Sequence, residues 1–162
     1  MRSETSKVQN IYAAIIAAFV LHFVPDQLVQ IIASLVFLGV FIALYVFRRL
    51  AEDESLIDNH MTYLIRSIWI GGLFIIIGTI ISAAYFIGTI GFEEYARLGQ
   101  QAIEQRDPME IMTVFESAYP QEIFISVMIT FAPGTLYLAF RLAKGLARAI
   151  KGYRIAKPTA WF

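Results

Sequence analysis

Cysteine is missing from all 162 residues, which excludes disulfide frameworks, thiolate zinc sites, iron–sulfur clusters and cysteine nucleophiles. Charge is scarce as well: 16% of residues are charged, where a soluble domain carries about 25%. The 13 basic and 13 acidic side chains cancel, which argues against a nucleic-acid partner. Histidine occurs twice, as His22 and His60, at opposite ends of their hydrophobic segments, so the pair does not supply both axial ligands of one haem. No Ser/His/Asp arrangement, metalloprotease HExxH or phosphate-cradling glycine loop occurs, and Glu93-Glu94 lacks the alternating oxygen ligands of a calcium loop. The expectation is therefore a protein with no cofactor, no metal and no catalytic residue of its own.

What the chain does have is apolar length. Blocks of roughly 17–25 uncharged residues suffice to cross a hydrocarbon core about 30 Å thick, and four segments qualify as spans: about 8–24, 27–47, 67–91 and 123–140. The first follows Arg2 and Lys7 like a secretory signal, but it runs into Pro25-Asp26 with no small-residue cleavage site and reads as an uncleaved anchor. The short Pro25-Asp26-Gln27 link makes spans one and two an antiparallel hairpin. In the fourth span Pro133-Gly134 predicts a kink, because proline lacks the amide donor and crowds the preceding turn. The fold class is all-α, one polytopic membrane domain. Apart from His22 the spans hold no ionisable group, so a proton or ion relay lacks parts.

The cations sort by side. Arg2, Lys7, Arg48, Arg49, Arg66, Arg141, Lys144, Arg148, Lys151, Arg154 and Lys157 fall together; Arg97 and Arg106 face them from the acidic 92–122 segment. The positive-inside rule then puts both ends of the chain in the cytoplasm and 92–122 outside. Arg48, Arg49, Arg66, Arg141, Lys144, Arg148 and Lys151 are the expected headgroup contacts. The last four follow one another at helical spacing, and each cation near an anionic leaflet contributes about 1 kcal/mol, so anionic phospholipid is an expected partner.

Two surfaces suggest protein contacts. In the third span Ser67, Gly71, Gly78, Ser82 and Thr89 share a face, and His60 joins it if the helix starts near an Asp58 cap; such small-residue faces let another backbone approach closely, in the same chain, a second copy or another subunit. Arg66 points about 120° away from His60, which separates the two as a compact site. Outside, Asp107-Pro108-Met109-Glu110 has the pattern of a helix start. Ile111, Met112, Phe115 and Tyr119 then recur at helical spacing as a docking face, and 93–105 is a preceding helix with Leu98, Ala102 and Ile103 on one side.

Two segments, NHMTYLIRSIWIGGLFIIIG and FRLAKGLARAIKG, resemble the signature segments of small bacterial inner-membrane proteins of a Tic20-like type. His60, Tyr63, Ile65, Arg66 and Trp69 match the first and Arg141, Lys144 and Gly145 the second. The resemblance implies a helical membrane protein and no particular activity; 92–122 is longer than the family's usual link and reads as an insertion. The function expected is a structural or accessory subunit of a larger inner-membrane complex. The alternative is a small transporter or translocation component with His60 and Arg66 near its cytoplasmic mouth.

Overall fold

A computed structural model describes residues 2–104, 113 and 116–161. Among these the regular structure is helical: α1 (Arg2–Leu21), α2 (Gln27–Leu50), α3 (Leu56–Ile90), α4 (Phe92–Glu104) and α5 (Pro120–Ile150). Three of them, α2, α3 and α5, are long and apolar enough to cross a membrane. Helix α1 is not among them. Its first turns carry Glu4 and Lys7 and its apolar run is broken at Gln9-Asn10, which leaves Ile11–Leu21 as the uninterrupted stretch. In the most apolar windows of the three spans only 11%, 28% and 22% of residues are buried within the chain. Apolar surface on that scale is solvated by lipid or by partners rather than by water.

The helix ends follow from local chemistry. Asp26 caps α2 by accepting from the Val29 amide at 2.9 Å, and Arg48 and Arg49 sit in its last turn, where the helix dipole favours cations. Helix α3 is capped by Ser55, whose hydroxyl accepts from the Asp58 amide at 3.1 Å; the cap is thus three residues earlier than the Asp58 expected from sequence. At its far end Gly91 adopts φ +87°, a conformation that stops the helix and lets α4 start at once. Pro120 opens α5 at the first helical position, where a missing amide costs nothing. The helix runs on through Pro133 without interruption.

The chain forms two compact units, Met1–Ile70 with Tyr137–Phe162, and Gly71–Leu136. The first has a core of Val8, Tyr12 and Ile15 from α1, Leu44 from α2, Met61, Leu64 and Ile65 from α3, and Leu138, Leu142 and Ala149 from α5. His22 ties α1 to α2, with one ring nitrogen on the Ala18 carbonyl at 2.7 Å and the other on the Ser34 hydroxyl at 3.1 Å.

In the second unit α3 and α5 approach through glycine. A Cβ on Gly78 would stand 2.8 Å from the carbonyl oxygens of Ile129 and Thr130, and one on Gly134 would stand 3.0 Å from the Gly71 carbonyl. Contacts that climb along α3 while descending along α5 make the pair antiparallel. The Ile129 carbonyl is the one whose helical donor is absent at Pro133. Gly78 thus lies against an acceptor that the helix itself leaves open. Helix α4 buries Leu98 and, at the other side, exposes Ile103, so these two do not share the single face expected for them.

Candidate functional site

The most elaborate polar arrangement lies in the first unit, where the chain beyond α5 returns to α3. Helix α5 closes with a Schellman turn: the Tyr153 amide donates to the Arg148 carbonyl at 3.0 Å, and the Gly152 amide to Ala149 at 3.1 Å. Gly152 takes φ +68°, as this reversal requires. The returning segment is then clamped by two consecutive residues of α3. Asn59 accepts from the Ile155 amide at 2.7 Å and donates to the Ile155 carbonyl at 3.0 Å. His60 Nε2 donates to the Tyr153 carbonyl at 3.0 Å, while Nδ1 faces the Tyr12 hydroxyl at 3.1 Å. A carbonyl only accepts, so Nε2 carries the proton, and with Tyr12 donating to Nδ1 both ring nitrogens of a neutral imidazole are satisfied. His60 is 0% exposed.

One and two turns further along α3 a second knot forms around Arg141. Its guanidinium lies over the Tyr63 ring, 3.7 Å from the centroid, with Tyr137 at 5.9 Å. Arg141 Nε donates to the Ser67 hydroxyl at 2.9 Å, which donates to the Tyr63 carbonyl at 2.7 Å; the Tyr63 hydroxyl in turn donates to the Arg141 carbonyl at 3.0 Å. Tyr137 donates to the Trp161 carbonyl at 2.9 Å, a further tie for the end of the chain.

The small-residue face divides between the units. His60 and Ser67 are buried in the first, Gly71, Gly78 and Ser82 in the second, while Thr89 is exposed and its hydroxyl bonds back to the Tyr85 carbonyl. Arg141 departs from its expected place among headgroup-facing cations, for it is 1% exposed. The cause is the return of 153–157 together with the two tyrosine rings. Arg48 pairs with Asp58 at 3.7 Å, and Arg148 donates to the Arg154 carbonyl at 3.2 Å. Lys144 stands 5.6 Å from the Phe140 ring; Arg49 and Lys151 are exposed, and Arg66 is half-buried with its Nε unbonded. His60 and Arg66 share no contact.

Outside the spans, Ile111, Met112 and Phe115, with the helix start at 107–110, lie beyond the described residues. Tyr119 is described. Its hydroxyl donates to Glu94 at 3.2 Å and its ring meets Phe86 edge-on. Glu94 also receives two hydrogen bonds from Arg97, at 2.7 and 2.5 Å, and these hold its carboxyl below the usual carboxylate range.

Sequence reasoning missed Tyr12, Asn59 and the return of 153–157. Gly152, placed just past a helical run, was the local sign of the reversal. Nothing local names Asn59 as the partner of a residue 96 positions away. The chain matches no family model, no curated protein and no solved structure.

Proposed function

We propose that the chain is a structural or accessory subunit of a larger inner-membrane complex, crossing the membrane four times with both ends cytoplasmic. The observation that carries this reading is the surface of α4. It is held on one side by Leu98, 1% exposed, yet presents Phe92 at 70% and Ile103 at 83% in a segment outside the three candidate spans. Apolar side chains left that open beyond the bilayer are best covered by another protein. The buried polar groups of the first unit point the same way. Asn59, His60 and Tyr63 fasten α3 to the end of α5 and the segment after it, and Ser67 takes the Arg141 guanidinium, so they are spent on holding this chain together.

Gentle detergent extraction followed by native electrophoresis tests the reading. Wild type should migrate with copurifying membrane proteins, and Ile103→Asp should lose them while keeping its helical content. A purely monomeric wild type refutes it. The orientation is tested separately, because a chain without cysteine accepts single reporters directly. Glu93→Cys should react with a membrane-impermeant maleimide in spheroplasts, and Lys7→Cys and Lys157→Cys should react only after permeabilisation.

A further inference from the structure

The returning segment 153–157 does more than cover α5. Between them lies a pocket of about 190 Å³ lined by Tyr63, Arg141, Lys144, Arg148, Ile155, Ala156 and Lys157. Four of these seven are cations and none is acidic. At the wall stands Arg141, 1% exposed, with Nη2 buried and without a hydrogen-bond partner. Among the described residues no carboxylate pairs with it. A buried lysine escapes such a position by losing its proton; an arginine does not, so its charge stays and requires compensation. The Tyr63 ring and the Ser67 hydroxyl engage one face and the Nε edge of the guanidinium. Nη2, next to Nε, is left without a hydrogen-bond partner, so the charge of Arg141 is not fully compensated by the chain.

We infer that this pocket is an anion site built for a phosphate group. A planar guanidinium offers parallel donors to a phosphate, and mobile lysines around it add charge without demanding fixed geometry. The site is more than a basic surface stripe, since its deepest cation is fixed by Tyr63 and Ser67 and its roof is held by the Asn59 clamp on Ile155. The occupant is a phosphate carried either by a lipid headgroup or by a free small molecule. This inference is independent of the accessory-subunit reading, because it concerns the first unit and not the surface of α4.

The test uses the full-length protein in nanodiscs of pure phosphatidylcholine and of an equimolar mixture with phosphatidic acid. Native mass spectrometry counts retained phosphatidic acid, and calorimetric titration of inorganic phosphate into the phosphatidylcholine discs measures free-phosphate binding. Binding of either probe is expected to weaken about tenfold or more in Arg141→Met, and to weaken measurably in Lys157→Ala. Arg97→Ala, a cation on α4 outside the pocket that pairs with Glu94, should leave it unchanged. Should Arg141→Met fail to fold, the exposed Lys157→Ala and Lys144→Ala variants carry the comparison. Retained phosphatidic acid that excess phosphate does not displace assigns the site to a headgroup; phosphate binding in lipid-neutral discs assigns it to a free ligand. Absence of binding by both probes, or equal losses in Arg97→Ala and the pocket variants, overturns the inference.

Discussion

Replacing Gly78 with alanine should separate α3 from α5 in the second unit, and the size of the effect follows from the geometry. The added Cβ would lie 2.8 Å from the carbonyl oxygens of Ile129 and Thr130 and 2.9 Å from the Thr130 Cα. Carbon-to-carbonyl contacts settle at about 3.3–3.6 Å, so the helices have to part by roughly 0.5–0.8 Å. Every obstructing atom is main chain, and no rotamer change relieves the overlap. Overpacking of this kind costs about 1–3 kcal/mol. Part of that loss is hidden by the better helix propensity of alanine, about 1 kcal/mol over glycine.

Gly72 and Gly88 remove that ambiguity. Both lie on the same helix and in the same unit, and a Cβ at either meets nothing within 4 Å. The propensity gain is therefore common to all three substitutions, and the contact is what differs. Gly78→Ala should be less stable than Gly72→Ala and Gly88→Ala by about 1–3 kcal/mol, read from reversible denaturation in mixed micelles by loss of helical circular dichroism. Three variants within about 0.5 kcal/mol of one another, the ordinary spread of neutral substitutions, would refute the backbone contact.

Two further outcomes bear on the first unit. Asn59→Ala strips both partners from the buried Ile155 backbone, at about 1–3 kcal/mol for each orphaned group; limited trypsin cleavage after Arg154 should accelerate about tenfold or more, and an unchanged rate would mean that the clamp does not hold the returning segment. Gly145→Ala drives a methyl into the Tyr12 hydroxyl and ring. It should destabilise by about 1–3 kcal/mol, with Tyr12→Phe recovering part of the loss in a double-mutant cycle, whereas strict additivity would place the contact elsewhere.

The parts of the fold that sequence made visible are those governed by neighbours in the chain. Uncharged runs marked α2, α3 and α5, because a span has to satisfy lipid along its whole length and one charge within it is conspicuous. Helix α1 was harder to place, since its apolar stretch is short and Gln9-Asn10 divides it from the basic start. The spacing of Gly71 and Gly78 pointed to close packing, but not to which backbone does the packing. Pro133 holds that information jointly with Gly78: one removes the donor from a carbonyl, and the other leaves room for a helix to approach it.

Arg141 shows why a correct periodicity can still misplace a side chain. At intervals of three and four residues, Arg141, Lys144, Arg148 and Lys151 describe one stripe of a helix, and a stripe next to a bilayer reads as a headgroup anchor. Period reports the direction in which a residue leaves its own helix and nothing about which segment comes back to meet it. That depends on Gly152, where a positive φ turns the chain, and on Asn59, which holds the returning segment. The glycine splits the basic run into two parts with different work. Arg141, Lys144 and Arg148, before it, stay on the helix, while Lys157, beyond it, becomes part of the wall over the most buried cation of the set. The same positive charges that a linear count adds into one diffuse anchor are thus partly gathered around a single cavity, where charge is concentrated enough to select a ligand.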